Sequence, residues 1–135
     1  ELEPKTGSWR DHVVSWTATR GGQKNFLCLR YEDMLANPED AAKKIASFLG
    51  LDSNPERIAR AVELSSADRM RDLEKQQSAQ WKETKNTRQD KPFVRTAISG
   101  GWKSALPEHC VAEIESAWGD VMRSVGYELW TKTKS

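Results

Sequence analysis

The sequence predicts an α/β fold that is mainly helical in this chain and contains one clear strand. Residues 26–31, Phe-Leu-Cys-Leu-Arg-Tyr, form a short, mostly apolar run that is typical of a strand buried on both faces of a parallel sheet. The other apolar patterns recur at the three- and four-residue spacing of helices. Because a buried strand needs neighbours on both edges, we expect these to come from the rest of a longer protein, or from a second copy by strand pairing or exchange.

Length and composition narrow the class of protein. A chain of 135 residues suits one domain, and 21 Lys+Arg against 20 Asp+Glu give a nearly neutral protein without a basic stripe for nucleic acid. No apolar run is long enough to cross a membrane, and the first residues lack the apolar core of a signal peptide. We therefore expect a cytoplasmic location and no nucleic-acid or membrane partner. Cys28 and Cys110 lack CxxC pairing and are predicted to be buried thiols.

The first predicted helix begins after Ser8, a residue that favours helix N-caps. Trp9, Val13 and Trp16 recur at helical spacing, and the pair Gly21-Gly22 ends the pattern.

Three further helices follow the strand. Asn37-Pro38 and Asn54-Pro55 each combine a capping residue with proline at the first helical position, and Gly50 ends the first of these two helices. Either Ser65 or Ser66 caps the third. The polar stretch 76–92 is predicted to be a mobile loop or lid.

A final helix opens at Pro107-Glu108 and is closed by Gly126. The segment before it, residues 93–103, joins Arg95 to a Gly-Gly pair and to Trp102-Lys103. An arginine that can fork two donors onto phosphate oxygens, next to glycines that let peptide N–H groups come close, indicates a phosphate site. The alternative is an ordinary Gly-Gly loop that a tryptophan anchors to the core.

Four segments carry motifs in a fixed order, at residues 7–16, 26–33, 65–70 and 93–103. The first resembles the motif GSW-x-x-HV-x-x-W, the second a strand that ends in a YED turn, the third T/S-S-F-x-x-M, and the fourth F-x-R-K-G-x-x-G-D-W-K. In this order they resemble the C-terminal half of the sulfotransferases that use 3′-phosphoadenylyl sulfate (PAPS). The resemblance implies a P-loop-type parallel-sheet fold, of which residues 1–135 would form a single partial domain.

The resemblance also implies roles for particular residues. Arg95 would bind the 3′-phosphate of PAPS or of its product, 3′-phosphoadenosine 5′-phosphate (PAP), helped by the N–H groups of Thr96 and Ala97. Tyr31 would lie against the adenine, and Ser65 would meet the exocyclic edge of the base. Alternatives remain for three of them: Tyr31 could cap the core, Ser65 could only cap a helix, and Arg95 could pair with a loop acid.

On the acceptor side, the resemblance places Trp9 and His12 near the hydroxyl or amine that receives the sulfuryl group. A lone histidine beside an apolar stripe is more often a packing or surface residue, so that alternative also remains for His12.

The chain departs from the family pattern at several positions. Thr96 stands where the family usually has lysine, and Ala97 replaces a glycine, which is unfavourable if the position needs a positive φ. Ala67 stands where an aromatic residue usually stacks on adenine, an interaction worth on the order of 1 to 3 kcal/mol. We therefore expect weaker nucleotide binding than in a member with all of these residues.

The family's reaction also needs groups that this sequence lacks. It contains no P-loop-like Lys-Ser/Thr-Gly-Thr element, and neither His12 nor His109 has the context of the catalytic histidine. We expect a fragment of an enzyme that binds PAP weakly or not at all and has no transferase activity alone. The competing hypothesis is a non-catalytic helical interaction module that assembles through its unpaired strand and apolar helix faces.

Overall fold

The computed structural model describes residues 7–77 and 92–131. All of the regular secondary structure in these ranges is helical. The helices are α1 Trp9–Arg20, α2 Tyr31–Ala36, α3 Pro38–Phe48, α4 Pro55–Leu64, α5 Ala67–Gln77, α6 Trp102–Ala105 and α7 Glu108–Ser124. The polar segment predicted to be a loop or lid lies mostly outside the described residues, and its first two positions end α5. None of the described helices has the length and apolar character that a membrane crossing requires.

The strand predicted at residues 26–31 is wrong. Residues 26–30 have no regular structure, and Tyr31 begins α2. Arg30 is extended, but a strand also needs a neighbour to complete its hydrogen bonds, and none lies in the described ranges. Local charges favour a helix start instead, because the Arg30 guanidinium forks onto the carboxylate of Asp33 at 2.6 and 2.8 Å, across the first turn of α2. Strand pairing, the predicted route to an oligomer, therefore has no strand to use within these residues.

The helices α1, α4 and α5 begin at capping residues expected from the sequence, whereas the side chain of Asn37 makes no capping hydrogen bond at the start of α3. Ser8 and Asp11 form a reciprocal capping box at the start of α1, with bonds of 3.1 and 3.2 Å between each side chain and the other residue's N–H. The side chain of Asn54 accepts the N–H groups of Glu56 and Arg57 in the first turn of α4. Ser66, rather than Ser65, caps α5.

The chain divides into two compact units. In the first, described for residues 7–26 and 100–131, α1 lies against α7. The rings of Trp9 and Trp118 are 5.9 Å apart, and Arg10 pairs with Asp120 at 3.3 Å. Three apolar side chains form the buried core of this unit, Val111, Val121 and Leu129.

The second unit, described for residues 27–77 and 92–99, stacks its helices in chain order. The helix α2 lies against α3, α3 against α4, and α4 against α5. Its buried apolar residues are Ala41, Ala46 and Ile58. Cys28, in this unit, is a free and exposed thiol, and Cys110, in the first unit, is free and half-buried, so the prediction of buried thiols is wrong for Cys28.

Candidate functional site

The loop that carries Arg95 is bound to one face of α5 through its carbonyl groups. The Arg71 guanidinium donates to the carbonyl of Arg95 through Nε at 3.0 Å and through Nη2 at 2.8 Å. Nη2 also donates to the carbonyl of Thr96 at 3.0 Å. Asp68, one turn earlier on α5, accepts from Nη1 at 2.6 Å and so orients the guanidinium. Two successive loop carbonyls are therefore directed at α5.

The same face of α5 binds the start of the loop through its N–H groups. The Glu74 carboxylate accepts from the N–H of Phe93 at 2.5 Å and from that of Val94 at 3.0 Å. These two hydrogen bonds favour the charged carboxylate and hold the pKa of Glu74 below its ordinary value. Asp68, Arg71 and Glu74 are spaced three residues apart, which places them along one side of the helix.

The Arg95 side chain itself is exposed and makes no hydrogen bond or ion pair with any residue in the described ranges. The pairing with a loop acid that the sequence left open is thus not seen there. The N–H groups of Thr96 and Ala97 also donate to none of the described residues. An exposed arginine followed in the chain by two such peptide donors is a combination of groups that fits a phosphate.

Ala97 has a φ of +50°, a left-handed conformation. The condition stated from the sequence, that alanine is unfavourable if position 97 needs a positive φ, is therefore met. The left-handed region costs an alanine about 1–2 kcal/mol, because Cβ comes close to the carbonyl oxygen. Left-handed residues also occur in anion-binding turns, where successive N–H groups converge.

Replacing Ala97 by glycine should raise the free energy of unfolding by roughly 0.5–1 kcal/mol, because relief of the left-handed strain exceeds the entropy that glycine adds to the unfolded chain. Urea unfolding followed by far-UV circular dichroism measures the change. Ala61→Gly, in α4, is the matched control and should destabilise by about 1 kcal/mol. A destabilised Ala97→Gly variant would contradict the strain.

Tyr31 and Ser65 lie in the same unit as Arg95. Tyr31 is the first residue of α2 and 51% of its surface is exposed. Ser65 follows α4, where its hydroxyl donates to the carbonyl of Ala61 at 2.8 Å. No hydrogen bond or ring contact joins these two side chains to each other or to Arg95 within the described residues. The structure thus leaves both side chains accessible without bringing the three together.

The predicted acceptor-side residues lie on α1, in the other unit. Trp9 is held by its ring contact with Trp118, and His12 is exposed, with its ring centroid 6.4 Å from that of Trp16.

The last two residues of the loop motif have a packing role. Trp102 meets Trp130 edge-on at 6.0 Å, and the ammonium group of Lys103 lies 4.7 Å from the centroid of the Trp130 ring. This part of the motif therefore fits the interpretation of a tryptophan that anchors the loop.

Arg71 and Glu74 are the residues that sequence reasoning missed. Their bonds to the loop join positions 19 to 25 residues apart, which no local pattern shows. The available signal was the three-residue spacing of Asp68, Arg71 and Glu74 on a helix that precedes a candidate phosphate loop.

Comparison with known proteins decides the family. The model of the family described as the sulfotransferase domain matches residues 3–126. The chain belongs to the sulfotransferase family. The resemblance stated from the four motifs is thereby confirmed, and membership implies a P-loop-type α/β fold.

Similar sulfotransferases come from animals and plants. Sulfotransferase 1B1 of Mus musculus is 30% identical over 129 residues, which cover 96% of this chain and 43% of the relative. Sulfotransferase 2A6 of Mus musculus is 33% identical over 98 residues, or 73% of this chain and 34% of the relative. Flavonol 3-sulfotransferase of Flaveria bidentis is 25% identical over 130 residues, which cover 91% of this chain and 42% of the relative. The chain therefore spans less than half the length of these relatives. No solved structure matches it.

Proposed function

We propose that this chain is the C-terminal part of a sulfotransferase domain and contributes the site for the 3′-phosphate end of PAPS. The complete domain would transfer the sulfuryl group of PAPS to a hydroxyl or amine. The observation that carries the proposal is the loop held by α5, in which the exposed Arg95 side chain and the next two N–H groups have no partner among the described residues. The order of the four motifs and the family match support the same assignment.

Arg95 is the main phosphate ligand of the proposed site. Its guanidinium can donate two parallel hydrogen bonds to phosphate oxygens, and the peptide N–H groups of Thr96 and Ala97 add donors without adding charge. Because Thr96 supplies no ammonium group, one cation faces the phosphate at these three positions. We therefore expect weak binding of PAP by the isolated chain, with a Kd on the order of 1 mM.

Tyr31 and Ser65 form the adenine side of the proposal. The Ser65 hydroxyl donates its hydrogen bond to the Ala61 carbonyl, and its oxygen lone pairs can therefore accept a hydrogen bond from the exocyclic amine of adenine. The exposed ring of Tyr31 offers an apolar face to the base. Ala67 cannot stack, so the base would depend on fewer contacts than in members with an aromatic residue there.

The transfer step itself needs groups beyond those of this chain. The nucleotide supplies the sulfuryl group when bound, while the residues seen here bind and orient its 3′ end. Trp9 and His12 are proposed to line the acceptor side. Since the sequence has no loop for the 5′-phosphosulfate, we propose that the chain binds nucleotide without turning it over.

The experiment that tests the proposal is a titration of the ¹⁵N-labelled chain with PAP and with 5′-AMP, followed by amide chemical shifts. PAP should shift the amides of Arg95, Thr96 and Ala97 along saturable curves. Binding of 5′-AMP should be weaker because it lacks the 3′-phosphate. In Arg95→Ala the affinity for PAP should fall at least about tenfold, since hydrogen bonds to a charged group are worth about 1.5–3 kcal/mol.

Arg60→Ala is the matched control, because Arg60 is an exposed arginine of α4 outside the proposed site. It should bind PAP like the wild type. If Arg95→Ala and Arg60→Ala behave alike, or if PAP shifts no amide of the loop, the nucleotide site is wrong. That result would favour the competing hypothesis, a helical interaction module that uses exposed apolar side chains such as Leu49 and Leu51.

A further inference from the structure

One face of α5 forms hydrogen bonds with some backbone groups of the Arg95 loop and not with others. The Glu74 carboxylate accepts hydrogen bonds from the N–H groups of Phe93 and Val94, whereas the Arg71 guanidinium donates to the carbonyl groups of Arg95 and Thr96. The N–H groups at the start of the loop are thus occupied, whereas those that follow the two bound carbonyls donate to none of the residues in 7–77 and 92–131.

The planarity of the peptide bond connects this pattern to the phosphate site. In a trans peptide the C=O of one residue points opposite to the N–H of the next, and the described residues contain no cis peptide. When Arg71 holds the carbonyl of Arg95, the N–H of Thr96 is directed away from the guanidinium. Because Arg71 also donates to the carbonyl of Thr96, the N–H of Ala97 is likewise directed away from the guanidinium. These are the two N–H groups proposed to meet the phosphate.

We propose that Arg71 is a positioning residue for nucleotide binding, which acts by fixing the peptide units 95–96 and 96–97 with their N–H groups toward the 3′-phosphate. This inference rests on the proposed function. Glu74 holds the preceding residues of the loop, so that Arg71 acts on a segment already bound at one end. The carbonyl oxygens, which would repel an anion, are turned to a cation on α5 instead.

A lysine at position 71 cannot replace this arrangement. The guanidinium uses Nε and Nη2 on the loop and Nη1 on Asp68, which requires the planar fork of arginine. Lysine keeps the charge but presents a single nitrogen. Arg71→Lys therefore separates the geometry of the fork from the charge of the side chain.

The test compares wild type, Arg71→Lys and Arg69→Lys, each titrated with PAP and with 5′-AMP and followed by amide chemical shifts. Arg69 is an exposed arginine of the same helix and serves as the matched control. We expect Arg71→Lys to weaken PAP binding about fivefold to tenfold, the equivalent of about one hydrogen bond, and to leave 5′-AMP binding unchanged. Arg69→Lys should leave the affinity for both nucleotides unchanged.

The outcomes distinguish failure of the inference from failure of the proposed function. If the wild type prefers PAP over 5′-AMP and Arg71→Lys keeps that preference, Arg71 does not position the loop and the inference is overturned alone. Equal weakening of both nucleotides assigns Arg71 a merely structural role and overturns it as well. If the wild type shows no preference for PAP, the proposed function fails, and the inference fails with it.

Discussion

Replacing Glu115 by alanine is expected to lower the free energy of unfolding of the unit that contains α1 and α7 by about 2–3 kcal/mol. Glu115 is buried in α7, with 7% of its surface exposed. Its carboxylate accepts the N–H of Trp130 at 2.6 Å, the N–H of Thr131 at 3.0 Å and the hydroxyl of Thr131. It therefore fastens the segment after α7 back onto the helix, and alanine removes all three bonds.

Urea unfolding followed by tryptophan fluorescence measures this loss. Five of the six tryptophans belong to this unit, so the emission reports on it. Glu113→Ala is the control, since Glu113 is exposed on the same helix, and it should change stability by no more than about 0.5 kcal/mol. Similar losses for the two variants would mean that the hydrogen bonds of Glu115 do not account for its contribution to stability.

The pH dependence of the Glu115→Ala effect follows from the pKa of Glu115. Burial tends to raise this pKa, but the hydrogen bonds from Thr131 and Trp130 outweigh burial and leave it below the ordinary value of 4.5. A carboxyl group with a lowered pKa stabilises the fold above its unfolded pKa, and this contribution is lost as the pH falls through the folded pKa. The stability difference between wild type and Glu115→Ala should therefore shrink once the pH falls below 4.5.

The ends of the helices could be predicted from the sequence because they depend on neighbouring residues. Asn54 caps α4 through N–H groups two and three positions away, and Ser8 exchanges bonds with Asp11 in the same way. The unfavourable alanine at position 97 was predictable for a different reason. The family pattern has glycine there, and glycine is the residue that tolerates a positive φ.

The irregular structure of residues 26–30 and the helix start at Tyr31 could not be predicted from the sequence, because an apolar run does not show whether a partner strand is present. Among the described residues no strand pairs with this run, and the ion pair between Arg30 and Asp33 favours the helix start at Tyr31. The bonds from Arg71 and Glu74 were missed because they join distant positions. The sequence thus identified Arg95 as a candidate ligand but not the helix face that holds its loop.

Replacing Ile58 by alanine is expected to lower the stability of the unit that carries Arg95 by about 2–4 kcal/mol, through lost burial and the cavity that remains. Ile58 is the one buried residue of α4, which lies between α3 and α5 in the stack. Urea unfolding followed by far-UV circular dichroism gives the stability, and amide hydrogen exchange shows where protection is lost. Leu64→Ala is the control on the same helix, because 48% of Leu64 is exposed, and it should have a much smaller effect.

The exchange rates of the Phe93 and Val94 amides extend this prediction to the candidate site. Both amides donate to Glu74 on α5, and α5 lies against α4. If the stack positions α5, Ile58→Ala should speed exchange at these two amides together with those of α4, whereas Leu64→Ala should leave them protected. Protection that persists in Ile58→Ala while α4 exchanges faster would contradict this, and would mean that α5 and the Arg95 loop hold together independently of the core around Ile58.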